Sequence, residues 1–196
     1  MTKNIVILIS GFGSNMQSIV KYFSNNNSVK ICAVISNKND ATGIEWAKSQ
    51  NIPTHIIDHK LYNSRQEFDD NLLKCVQIYQ PHIVVLAGFM RILTNNFIQP
   101  LLGKLINIHP SLLPKFKGLN THTSVLKEKC QFHGATVHFV TTELDSGSII
   151  LQASIPVLKH DDEKTLAARV LEIEHIIYPK AIEILLQNKI SLADLI

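Results

Sequence analysis

Apolar runs of strand length punctuate the chain at residues 5–9, 31–35, 83–87, 105–108, 136–140 and 149–157. Several are continuous rather than alternating, which suits strands buried on both faces of a mostly parallel sheet. Between them the apolar positions shift to helical spacing. Met16, Ile19, Val20 and Phe23 share one face of a predicted helix, with Ser14 or Asn15 as its cap. Phe68, Leu72, Val76 and Tyr79 repeat likewise behind Ser64, and Glu67 stands where a capping box requires it. Residues 162–186 predict a long amphipathic helix or a pair, bent or restarted at Pro179. Strand and helix alternate through the first half, so the expected fold is a single-domain, Rossmann-like α/β layer structure with helices on both faces. Residues 110–124 and 141–148 are polar or carry Pro and Gly, and read as loops.

With 196 residues, the chain suffices for one core but not for two comfortable domains. Net charge is only +3 and no Lys/Arg run exceeds a pair, so a nucleic-acid partner is not expected. Cys32, Cys75 and Cys130 lie far apart, without metal-like pairing, which fits a reducing cytosol. The apolar run at 5–9 is too short for a membrane span and no cleavage site follows it. A cytoplasmic protein with no membrane partner is expected.

Ligands of open α/β sheets bind beyond the carboxyl ends of the strands. Three such ends carry chemistry. Asn107 and His109 lie two apart near the end of a strand, so their side chains project from one face ahead of Pro110. An amide donor beside a titratable imidazole suits acyl-group transfer, in which an oxyanion develops and a proton moves. On local grounds alone, a polar strand end fits equally well. Gly11-Phe12-Gly13-Ser14-Asn15 opens the first helix, where free N–H groups favour an anion. The dinucleotide fingerprint fails, because Met16 stands at its third glycine and the second strand closes on Ser36-Asn37 without an acid. A monophosphate cradle is the better reading. Gly88-Phe89-Met90-Arg91 mixes an apolar wall with backbone donors, which suits a flat heteroaromatic ligand or, equally, a helix start.

Asp145 lies in the turn at 143–148. Aimed at His109, it would orient the imidazole and favour its charged form, although Asp-Ser-Gly is also ordinary turn chemistry. Nine histidines invite a metal, but His133 and His138 should face opposite sides of their strand, and His55 and His59 lack a helix. No metal is expected.

Taken together, these segments resemble the folate-dependent formyltransferases. The resemblance rests on the 9–15 loop, the 85–93 segment, Asn107-x-His109-Pro110-Ser111-Leu112-Leu113-Pro114, and His138-Phe139-Val140 with Leu144-Asp145-Ser146-Gly147. The Gly-x-Gly-Ser-Asn loop points within that group to the enzymes that formylate phosphoribosylglycinamide in purine biosynthesis. The resemblance implies 10-formyltetrahydrofolate as co-substrate and a monomer or homodimer. It makes Asn107, His109 and Asp145 the catalytic trio. Gly13, Ser14 and Asn15 would hold the ribonucleotide phosphate, and Glu174 would meet its ribose. Arg65, Met90, Arg91, Ile92, Leu93 and Asn107 would contact the folate. It also implies one domain over 1–196, with a nucleotide-binding half over 1–100 and a folate-binding and catalytic half over 101–196.

Phe12 and Asn120 depart from the family pattern, and Asn120 is given no catalytic part. Rival readings are a formyltransferase acting on methionyl-tRNA or an amino-sugar nucleotide, and a non-enzymatic ligand sensor. The first usually carries a further carboxyl-terminal domain, for which no residues remain here.

Overall fold

The structure is a computed structural model that describes residues 2–187. Seven strands form one sheet in the order β3-β2-β1-β4-β5-β6-β7. They are β1 (Lys3–Ile9), β2 (Val29–Ser36), β3 (Thr54–Ile56), β4 (Ile83–Leu86), β5 (Leu105–His109), β6 (Phe132–Phe139) and β7 (Ile149–Pro156). Pairings of β1 with β2 and β4, and of β2 with β3, are parallel, whereas β6 and β7 pair antiparallel. By compactness the chain divides into residues 1–106 and 107–196.

In the first unit, Ile5 to Ile9 and Ile83 to Leu86 are buried at every position. Because successive side chains point to opposite faces, both faces of these strands are covered, as their continuous apolar runs predicted. Helix α1 (Ser14–Phe23) buries Met16, Ile19 and Phe23. Its cap is not Ser14 or Asn15, as expected, but Gly13, which takes the left-handed conformation at φ 74° and leaves no side-chain cap. Helix α2 (Thr42–Ser49) follows β2. Helix α3 (Arg65–Ile78) starts where predicted, with the Ser64 hydroxyl accepting the Glu67 N–H. The Glu67 carboxylate reaches back to the N–H of Asn63, one residue before the cap. The short helix α4 (Asn95–Ile98) precedes β5.

The second unit carries a helix that the sequence left as loop, α5 (Thr121–Lys127). Its start is set by Asn120 in the left-handed region at φ 58°, so the expected 110–124 loop ends at 120. Helix α6 (Glu163–Leu186) is one element rather than a pair. A reciprocal capping box between Asp162 and Thr165 starts it, and Pro179 sits buried inside it without ending it. The Leu113–Pro114 peptide bond is cis.

Candidate active site

The end of β5 presents Asn107 and the buried His109. On β6, the next strand in the sheet, His138 is buried as well, and its Nε2 lies 3.3 Å from Asn107 Nδ2. The 140–148 turn completes the group. A Cβ at Gly147 would overlap the carbonyl oxygen of Phe139, so only glycine lets this turn fold back so tightly. Asp145, at φ 47°, then places one carboxylate oxygen 3.5 Å from His109 Nδ1 and the other 3.7 Å from His138 Nε2. The structure therefore gathers Asn107, His109 and Asp145 around one point, and adds His138.

Hydrogen-bond partners fix the protons. His109 Nε2 faces the Phe116 carbonyl at 2.8 Å, which can only accept, so Nε2 carries a hydrogen. Its Nδ1 faces a carboxylate, which also only accepts when ionised. An imidazolium satisfies both contacts, whereas a neutral ring satisfies one. His138 differs. Its Nδ1–H donates to the Phe139 carbonyl at 2.8 Å, leaving Nε2 to accept from the Asn107 amide. Burial lowers its proton affinity, partly offset by the Phe139 carbonyl and the Asp145 carboxylate. A neutral His138 thus holds the amide of Asn107 by one N–H.

Sequence reasoning weighed His138 as a metal ligand and as part of a segment resembling the family, and missed this contact with Asn107. The available signal was its strand position, on the face opposite to that of His133. His133 instead meets His122 at 2.9 Å, and among the described residues no cluster of three His, Cys, Asp or Glu side chains could hold a metal. Asn120 lies at the start of α5 and makes no side-chain cap.

In the 1–106 unit, Ser10 to Asn15 line a cavity of about 240 Å³ together with Ala87, Gly88 and Met90. The first intrahelical bond of α1 runs from Gln17 N–H to the Gly13 carbonyl, so the helix start offers N–H groups with no intrahelical acceptor. Asn37, where the dinucleotide acid would stand, accepts the Ser10 hydroxyl at 2.5 Å, and Ser10 Oγ accepts the Met90 N–H at 2.7 Å. One buried hydroxyl thereby ties the ends of β1 and β2 to the segment after β4.

Within that segment Met90 and Ile92 are exposed, Leu93 is buried, and the Arg91 guanidinium lies 5.1 Å from the Phe68 ring centre. No helix starts there. The segment is pinned by Asp69, a buried residue of α3 whose Oδ2 accepts the Thr94 N–H at 2.5 Å. Burial raises the proton affinity of Asp69 against the Thr94 hydrogen bonds and the charges of Arg91 and Arg65. Arg65 is exposed at the first position of α3. Glu174 is buried on α6.

An amide, an imidazole and a carboxylate converging at the end of β5 of an α/β sheet form an arrangement suited to acyl-group transfer. Residues 3–182 match the formyl transferase family model, and the chain belongs to that family. It is 49% identical to the phosphoribosylglycinamide formyltransferase of Escherichia coli over 181 residues, 91% of this chain and 85% of that protein. It is 44% identical to the human trifunctional purine biosynthetic protein adenosine-3, matching 97% of this chain but only 19% of that larger protein. The structure of the phosphoribosylglycinamide formyltransferase from Coxiella burnetii in complex with CHES superposes with a TM-score of 0.93. That match has 43% identity and covers 97% of this chain and 90% of the other.

Proposed function

We propose that this chain transfers the formyl group of 10-formyltetrahydrofolate to the amino group of phosphoribosylglycinamide, in purine biosynthesis in the cytosol. The observation that carries the reading is the meeting of Asn107, His109 and Asp145 in a chain nearly half identical to an enzyme of that name. Among the described residues no helix is long and apolar enough to cross a membrane.

The neutral amine of the ribonucleotide attacks the formyl carbon, forming a C–N bond and turning the carbonyl oxygen into an oxyanion. Asn107, held by His138 through one N–H, directs its amide at that oxygen. The His109 imidazolium adds positive charge, and Asp145 supports that charge from Nδ1. Preorganised donors of this kind need no reorientation as charge develops. The tetrahedral intermediate collapses by breaking the bond from carbon to the folate N10. The amine proton passes to N10, with Asp145 helping through water, to release tetrahydrofolate. Gly13, Ser14 and Asn15 take the phosphate at the start of α1, and Glu174 takes the ribose hydroxyls. Met90 to Leu93 and Arg65 take the folate.

The test is to mix purified protein with both substrates and follow tetrahydrofolate, with methionyl-tRNA as the parallel acceptor. Transfer to phosphoribosylglycinamide alone is expected. Transfer to tRNA alone, or folate binding without turnover, overturns the reading.

A further inference from the structure

The carboxylate and imidazole described above are each gripped by the same short turn. The Phe116 carbonyl accepts His109 Nε2–H at 2.8 Å, and the Gly118 N–H donates to Asp145 Oδ2 at 2.9 Å. Both turn residues lie in the left-handed region, Phe116 at φ 56° and Gly118 at φ 78°. We propose that the Phe116-Lys117-Gly118 turn is a positioning element for the transfer reaction, whose backbone selects the working orientation of His109 and Asp145. This inference rests on the functional reading above and deepens it.

The geometry makes the turn specific. With Nε2–H committed to Phe116, only Nδ1 of His109 remains to face the carboxylate. With Oδ2 committed to Gly118, the carboxylate cannot rotate freely between His109 and His138. A turn that relaxed to negative φ would redirect a carbonyl and an N–H together, releasing both catalytic groups in one step. Side chains reinforce it from both ends. Ser111 Oγ donates to the Lys115 carbonyl at 2.7 Å. The Lys117 ammonium reaches Glu143 Oε1 at 3.3 Å and also the Ser146 hydroxyl, clasping the turn to the segment that carries Asp145.

Gly118 gives a clean test, because a Cβ there would meet nothing nearer than Leu144 Cδ2 at 4.0 Å. Alanine therefore acts through φ alone, and asparagine tolerates the left-handed region better. Gly118→Ala should lower kcat by about tenfold with the KM of both substrates largely kept. Gly118→Asn should recover most of the lost kcat. Lys117→Ala, a milder change at an exposed contact, should cost about two- to threefold. Independently of turnover, the His109 Nε2–H proton should be visible by NMR in the wild type and in Gly118→Asn, and lost in Gly118→Ala. If alanine and asparagine at 118 behave alike, or alanine raises KM and spares kcat, the turn does not position the pair. Absence of transfer in the wild type would sink the functional reading and this inference with it, whereas transfer with the His109 Nε2–H signal retained in Gly118→Ala would overturn this inference alone.

Discussion

Asn107 Nδ2 donates to His138 Nε2 at 3.3 Å, so the proposed oxyanion donor is itself held by a neutral histidine of the neighbouring strand. An unrestrained amide would pay the cost of orientation at each turnover. Asn107→Ala should lower kcat by about two to three decades. His138→Leu keeps the donor but removes its acceptor, and should cost about one decade, in line with the loss of one hydrogen bond. In both variants the KM of each substrate should stay near the wild-type value. Steady-state kinetics with each substrate varied in turn checks this. A His138→Leu loss confined to KM would remove the positioning role.

The proposed phosphate cradle depends on a residue outside it. Gly43 of α2 donates its N–H to the Gly11 carbonyl at 3.1 Å, and an added Cβ would stand 2.8 Å from the Phe12 carbonyl oxygen and 2.9 Å from that of Gly11. Gly43→Ala must therefore push the Gly11-to-Asn15 loop outward. The expected outcome is a raised KM for phosphoribosylglycinamide, by about tenfold or more, with the KM for 10-formyltetrahydrofolate little changed. Equal movement of both constants would show that the loop does not carry the phosphate.

The legible parts of this chain were those whose signals are local and repeated. The runs at β1 and β4 announce strands covered on both faces, and Ser64 with Glu67 announces the start of α3. The three-residue β3 gave no such signal, being only half-buried. The start of α5 was hidden because its determinant, Asn120 in the left-handed region, is conformational rather than compositional. Asn107 and His109 were readable as a pair because strand alternation puts them on one face. Asp145 was not, because its approach to His109 depends on the tight return at Gly147. The turn at 143–148 offered it only as a candidate beside ordinary turn chemistry, and the family resemblance placed it in the trio. Nothing in the local sequence pattern shows that Asp69 of α3 is buried against the 90–94 segment.

Asp69 yields a separable prediction. Asp69→Ala leaves the Thr94 N–H without an acceptor and loosens the segment that presents Met90 to Leu93. The KM for 10-formyltetrahydrofolate should rise severalfold while that for the ribonucleotide holds, and stability should drop by about 1–3 kcal/mol. Asp69→Asn retains an oxygen at the same place and should restore the folate KM. Kinetics and urea unfolding of the pair decide it. An asparagine variant as impaired as alanine would show that the charge, not the acceptor, matters.

Acid should unfold the 107–196 unit through His133. This ring is buried against His122 and sits near His109, and its pKa falls from 6.5 to about 4, chiefly by desolvation and then by those neighbouring rings. His122 is lowered too, by burial and His109, although Glu163 opposes the shift. A group that titrates lower in the folded chain binds fewer protons there than in the unfolded chain between those two values. Stability is therefore full above about pH 6.5 and falls as pH drops towards 4, by up to about 3 kcal/mol for His133. Urea midpoints measured between pH 7.5 and 5 should decline in the wild type. They should decline less steeply in His133→Leu, which has no proton to take up there but starts lower for want of the His122 contact. Carboxylates are common to both proteins, so the difference between the two slopes isolates the histidine. Parallel slopes would mean that His133 is charged in the folded chain, and the burial account of its environment would be wrong.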